Sequence, residues 1–317
     1  MRIQRKLGKS EIAISPLVFG TNIFGWTTDD AMAFRLLDHF VDNGFNAIDT
    51  ADVYSAWVDG LEGGESETVI GKWLKKSGKR DQIILATKVG AELSKERKGL
   101  GKKYIISAVE SSLQRLQTDY IDLYQSHYDD LDTPIEETLE AYQTLIAAGK
   151  IRIIGASNFT PERLADSLEV SKMGNLPRYE TFQPEYNLFD REAFEKNIEH
   201  LTTGRSLGVI AYFSLASGFL TGKYRSATDL SASKRSGFVE KYLTPRGFSI
   251  LEALDKVALK HNSNCAQVSI AWVLSNPGIT APIASATNIA QLDDLIKATD
   301  LILDSGDLSA LNGASAS

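Results

Sequence analysis

One cysteine, Cys265, in 317 residues leaves no intramolecular disulfide and no cysteine-rich metal site. No apolar run reaches the length of a membrane-spanning helix, and the opening MRIQRKLGKSEIAIS lacks the apolar core of a secretory leader. A block of lysine or arginine is also missing: 34 basic against 41 acidic residues give a net charge of −7, which disfavours nucleic acid and anionic membranes as partners. There is no P-loop. The first strand-like run leads into Gly20-Thr21-Asn22-Ile23-Phe24-Gly25, without the G-x-G-x-x-G spacing that opens a doubly wound dinucleotide-binding sheet. These absences leave a soluble, cytoplasmic enzyme as the expectation.

What is present is alternation. Hydrophobic residues make up 43% of the chain, enough for a large core. Short β-rich runs read as strands: LVFGT (17–21), FNAID (45–49), QIILAT (82–87), YIDLYQ (120–125), IRIIGA (151–156), YETFQ (179–183), LGVIAY (207–212) and ITAPIA (279–284). Amphipathic stretches lie between them, as in DDAMAFRLLDHFVDNG (29–44) with Gly44 as its stop, and others begin at Glu65, Lys102, Pro134, Pro161, Phe248 and Asn288. About eight such units predict parallel strands buried on both faces and closed into a (β/α)8 TIM barrel, as one domain over 1–317. Ahead of it RKLGKSEIAIS reads as a hairpin turning at Gly8-Lys9, suited to cap the barrel floor.

The C-terminal ends of barrel strands surround one mouth, where such folds place their chemistry. Asp49, Lys88, His127, Asn158, Gln183, Tyr212 and Ser285 all fall at or just past a strand end, and Tyr54 follows Asp49 by a short loop. A phenol, an amine, a carboxylate and an imidazole suit donation of a proton to a carbonyl oxygen. A phenol titrates near pH 10, so Lys88 is expected to lower Tyr54 by stabilising its phenolate, with Asp49 orienting Lys88. Taken singly, a strand-end Asp caps a helix and a lone His is more often structural; the convergence of four is what favours chemistry. His39, His200 and His261 sit in helix-like segments and receive no role.

In the order FNAIDTADVY, ILATKVG, DLYQSH, IGASNF, QPEYNL, LASGFLTGKY and SATNIAQL, the chain resembles an aldo-keto reductase over nearly the whole barrel. The resemblance implies a metal-free reductase of aldehydes or ketones that uses NADP (NADPH), or NAD, with a small-molecule carbonyl or alcohol as substrate and a monomer as the default state. It implies that Asp49, Tyr54, Lys88 and His127 are the catalytic tetrad, with Tyr54 the proton donor and His127 a neutral hydrogen-bond donor to the carbonyl.

Cofactor contacts are implied at Gly20, Thr21, Asn22 and Asp49, at Ser157, Asn158 and Gln183 for the carboxamide, and at Tyr212 as the stacking face. Ser214, Leu215, Gly218, Lys223 and Arg235 would serve the pyrophosphate side, and Ser285, Thr287 and Gln291 the adenosine side. Asn288 and Gln291 have the spacing of a capping box. Trp26 and Trp57 are expected to wall the substrate pocket, and the polar segment 224–247 to act as a lid. The chain departs from the family where Ser285 replaces a common Gly, where no basic residue follows closely, at Asp294-Leu295, and at Phe213-Ser214 in place of Ser-Pro. Two other classes remain as alternatives: a nicotinamide-sensing regulatory subunit, as some members of the family are, and a metal-dependent barrel hydrolase, for which the mouth lacks a ligand cluster.

Overall fold

In the computed structural model, which describes residues 3–226, 228–229 and 236–316, strands β1 (Arg5–Lys6) and β2 (Ala13–Ile14) pair antiparallel as a hairpin. Eight parallel strands follow: β3 (Val18–Gly20), β4 (Ala47–Asp49), β5 (Ile84–Val89), β6 (Ile121–Ser126), β7 (Ile151–Ser157), β8 (Tyr179–Gln183), β9 (Gly208–Ala211) and β10 (Ala281–Ala284). They bond in the cyclic order β10-β3-β4-β5-β6-β7-β8-β9 and close a TIM barrel, as the alternation predicts.

Helices α1 (Asp30–Asp42), α2 (Glu65–Ser77), α3 (Lys102–Leu116), α4 (Ile135–Ala147) and α5 (Pro161–Gly174) each return the chain to the next strand. Two short helices, α6 (Glu192–Asn197) and α7 (Glu199–Gly204), do so after β8. Three follow β9: α8 (Ser236–Val239), α9 (Pro245–Lys260) and α10 (Cys265–Ser275). Last come α11 (Ile289–Ala298) and α12 (Ser305–Ser315).

The local causes are visible in α1. Asp29 caps it by accepting from the Met32 amide, Ala33, Leu36, Leu37 and Phe40 turn one face inward, and Gly44 at φ +82 ends the segment. Phe40 then packs on Phe19 of β3 at 5.4 Å and stacks on Phe45 at 5.0 Å, and each such ring removed from water stabilises by about 1.5–3 kcal/mol.

The structure departs from the sequence reading on the far side. Helix α9 starts at Pro245, where Thr244 caps the Gly247 amide, three residues before the expected Phe248. Helix α10 was not anticipated: Val268, Ile270, Ala271, Trp272 and Val273 are all buried, so it has no polar stripe to reveal its period.

The hairpin closes the floor. Leu7, Ile12 and Ile14 share a buried cluster with Val18, Ala47 and Leu123 from the barrel strands. At the other end the register builds a polar layer. Asp49 pairs with Ala86, Lys88 with Gln125, Gln125 with Gly155 and Ser157 with Gln183. Among the described residues no helix is long and apolar enough to cross a membrane.

Gly155 is the tight point of that layer, since a Cβ there would overlap Thr181 Oγ1 and come to 3.1 Å from Gln125 Cγ. Gly155→Ala should therefore destabilise by about 1–3 kcal/mol through overpacking, measured as a lower midpoint in urea. An unchanged midpoint would show that the barrel interior has slack here.

Candidate active site

Strand β4 delivers Asp49 at its last residue, β5 carries Lys88 just before its end, and His127 follows β6, while Tyr54 stands on the turn after β4. Lys88 is fully buried, and its ammonium donates to Asp49 Oδ2 at 2.5 Å, Tyr54 Oη at 2.8 Å and Thr50 O at 2.9 Å. Three hydrogens thus meet three acceptors. The Tyr54 hydroxyl in turn lies 3.4 Å from Asp49 Oδ2 as a donor. The other lobe of Asp49 takes Gln125 Nε2 at 3.2 Å and Gln183 Nε2 at 3.1 Å, so its acceptor directions are all engaged by protein.

The net electrostatics of Tyr54 are set by more than its lysine: burial first, and Asp49 second, hold the phenol well above its ordinary range even with Lys88 donating to Oη. Burial also lowers Lys88 from its usual value, against the pull of Asp49. His127 stacks on Tyr128 at 4.9 Å and meets the Tyr54 ring edge-on at 6.1 Å. Its Nδ1 is buried with no partner among the described residues, and burial, with Lys88 second, holds the imidazole well below 6.5. His127 is therefore a neutral ring with a free polar atom.

Next to these lies a belt of amides. Asn158, at φ +56, donates through Nδ2 to His127 O at 2.9 Å and Ser157 Oγ at 3.1 Å, and its Oδ1 accepts from Tyr212 Oη at 2.8 Å. Both of its amide hydrogens are thus used inside the protein, while Oδ1 accepts one bond. Ser157 Oγ donates to Gln183 O at 2.8 Å. Gln183 Nε2 serves Asp49 and Gln125, leaving Gln183 Oε1 as the acceptor in this belt that no described residue uses. Sequence reasoning missed Gln125, which joins Asp49 to Gln183; the available signal was its place two residues before His127 at the end of the same strand.

The remaining expected residues divide. Thr21 is buried, with its hydroxyl on Asp49 O and on Ser66 Oγ of α2, so it ties strand to helix. Gly20 has a packing cause: a Cβ would come to 2.7 Å from Ile283 Cγ2. Ser285 Oγ donates to Asn22 Oδ1 at 2.9 Å and joins the loops after β10 and β3. Ser214 turns inward to Ala211 O.

Beyond it Leu215 enters a turn in which Ala216, Ser217 and Gly218 all have positive φ. Lys223 is exposed, its ammonium 4.9 Å from the centre of the Tyr224 ring. The capping box forms only in half: Asn288 accepts from the Gln291 amide, but Gln291 Oε1 takes the amide and hydroxyl of Thr287 instead of the Asn288 amide. Arg235 and part of the expected lid lie outside the described residues. Trp26 and Trp57 meet edge-on at 6.2 Å, with Trp57 at 5.9 Å from Tyr54, and make one aromatic wall. Among the described residues no group of His, Cys, Asp or Glu could hold a metal ion.

The sequence profile described as the Aldo/keto reductase family matches residues 16–316. The chain is 37% identical to a Bacillus subtilis protein named uncharacterized oxidoreductase YrpG, over 96% of this chain and 94% of that one. It is 34% identical to the aldo-keto reductase YhdN of the same organism, over 96% and 89% of the two chains. It is also 32% identical, over 94% and 91%, to an Arabidopsis thaliana protein named a probable voltage-gated potassium channel subunit beta.

The burial of His127 sets a check. Proton-detected NMR of the imidazole across neutral pH should find His127 uncharged throughout, because its protonation lies below the ordinary 6.5. A titration midpoint at or above that value would contradict the site as described.

Proposed function

Because this chain belongs to the aldo/keto reductase family, we propose that it is a nicotinamide-dependent oxidoreductase that reduces an aldehyde or ketone to an alcohol, with NADPH as reductant and NADH as the alternative. The observation that carries this reading is Lys88 Nζ, buried and bonded at once to the Asp49 carboxylate and the Tyr54 phenol. The mouth has the chemistry for such a cofactor: an amide acceptor at Gln183 Oε1 and the flat ring of Tyr212 held by Asn158. When bound, the cofactor supplies hydride from C4 of its nicotinamide ring.

The protein's own part is handling the oxygen. Tyr54 is protonated at neutral pH and gives that proton to the carbonyl oxygen as negative charge grows there. Lys88 already donates to Oη, so it stabilises the phenolate that remains without any reorganisation. Asp49 keeps Lys88 aimed, and Gln125 and Gln183 keep Asp49 aimed. His127, neutral, hydrogen-bonds the carbonyl oxygen and fixes its direction. Trp26, Trp57 and Tyr54 form the apolar side of the pocket and favour a bulky or aromatic carbonyl. Asp49 is assigned to Lys88 and not to the cofactor, and Thr21 to packing.

We place the protein in the cytoplasm as a monomer that acts on a small molecule. A second reading has one observation behind it: the relative named as a potassium channel subunit suggests that this chain senses nicotinamide state as part of an assembly.

Removing the Tyr54 hydroxyl separates the steps. Tyr54→Phe should lower kcat by about 10²–10⁴-fold, the usual size of a general-acid contribution, while quenching of tryptophan fluorescence by NADPH stays near that of the unaltered protein. Equal loss of binding and turnover would count against the acid role. NADPH binding without turnover of any aldehyde or ketone tried would favour the sensing subunit. Chelators should leave turnover unchanged, and inhibition reversed by zinc would overturn the metal-free chemistry.

A further inference from the structure

Behind the Asp49–Lys88 pair stands a second carboxyl group that the proposed reaction does not use. Asp52 shares the turn that carries Tyr54, and its amide donates to Lys88 O at 3.3 Å. It is 2% exposed, and neither carboxyl oxygen makes a well-formed hydrogen bond or an ion pair among the described residues; the Val53 backbone amide is the one donor close enough to pull on it. The next turn packs against its backbone, since a Cβ on Gly63, at φ +92, would come to 2.8 Å from the Asp52 carbonyl oxygen. The titratable groups that act on it are Glu67 from α2, Tyr104 and Arg115 from α3, Lys88 from β5, Tyr124 from β6 and Tyr142 from α4.

The cations in this ring are already committed. Arg115 gives its Nε and Nη2 to Glu67 Oε2, each at 2.7 Å, and Glu67 Oε1 takes the Thr87 hydroxyl at 2.6 Å. The three donors of Lys88 go to Asp49, Tyr54 and Thr50. An ionised Asp52 would be a buried, unpaired charge beside another carboxylate, and holding a proton is far less costly.

We propose that Asp52 carries a proton in the wall behind the tetrad and acts as a positioning residue through Lys88. While it is neutral, Lys88 is balanced by Asp49 alone. When it releases its proton to solvent, a second negative charge stands behind Lys88 and opposes a phenolate at Tyr54, so Tyr54 becomes a weaker acid. The catalytic half of this proposal rests on the carbonyl-reductase reading; the proton on Asp52 does not. Burial, and Glu67 after it, raise Asp52 to about 8 against the pull of Arg115, which puts the change just above neutral pH.

Infrared difference spectra decide the proton. A protonated-carboxyl band should be present at neutral pH, fade as pH passes about 8, and be missing from Asp52→Asn. Thermal unfolding gives an independent reading with a definite sign. Below about pH 3.9, the value of an Asp in an open chain, native and unfolded states both hold the proton; between there and about 8 only the native state does, so the penalty on folding grows with pH and then levels. Asp52→Asn removes that penalty, and its lead in Tm over the unaltered protein should widen up to that pH and no further. In turnover, the alkaline fall of kcat for reduction should move to higher pH in the variant, with KM moved less.

No variant-sensitive band at neutral pH, or a Tm difference that does not change with pH, would overturn the protonated carboxyl. Identical alkaline limbs in two active proteins would overturn the link through Lys88. Absence of turnover in the unaltered protein would sink the reductase reading and the catalytic link with it, while the band and the Tm series still judge the proton.

Discussion

Everything at the mouth of this barrel depends on one buried amine having three acceptors. An ammonium group withdrawn from water is tolerated only if its hydrogens are taken up, and Lys88 satisfies that condition with the Asp49 carboxylate, the Thr50 carbonyl and the Tyr54 phenol. Each acceptor belongs to β4 or the turn after it, so the amine on β5 locks that turn to the neighbouring strand. Stability and reactivity share the same contacts. Taking away Asp49 would remove an orienting group and also leave a buried cation short of its counter-charge.

The barrel register makes this arrangement possible. Because Asp49 pairs with Ala86, the side chain two residues on, Lys88, lies on the same face and next to Gln125, and Gln125 lies next to Gly155. A slip of one residue would send every one of these side chains to the helix layer. The small residue at Gly155 leaves room for Gln125, near the end of β6, to reach across to Asp49. Charge neutrality is then managed in layers. Asp49 answers Lys88, Glu67 answers Arg115, and Asp52 is left over behind them.

Much of the site could be read in the chain before its structure was known. The eight strand runs, the hairpin and the strand-end positions of Asp49, Lys88 and His127 follow from alternation and length, because a parallel strand buried on both faces has a recognisable apolar run and a polar residue that ends it. Helix α10 could not be read that way, since a helix that is apolar around most of its circumference shows little period. The roles of Thr21 and Asp49 toward a cofactor also looked open in the chain, while in the fold their polar groups are already satisfied by Ser66, Gln125 and Gln183.

By itself the amino-acid sequence determined the (β/α)8 class, the family, and which residue types stand where strands end. Only the tertiary structure decided what those groups do to one another. Local pattern records spacing along the chain, whereas the protonation of Tyr54, His127 and Asp52 depends on burial and on charges brought from other strands and helices. A phenol expected to be lowered by its lysine is raised by its surroundings, and Asp52, which no motif singles out, becomes a buried carboxyl near the tetrad with no ion pair among the described residues, because dielectric and distance are properties of the folded chain alone.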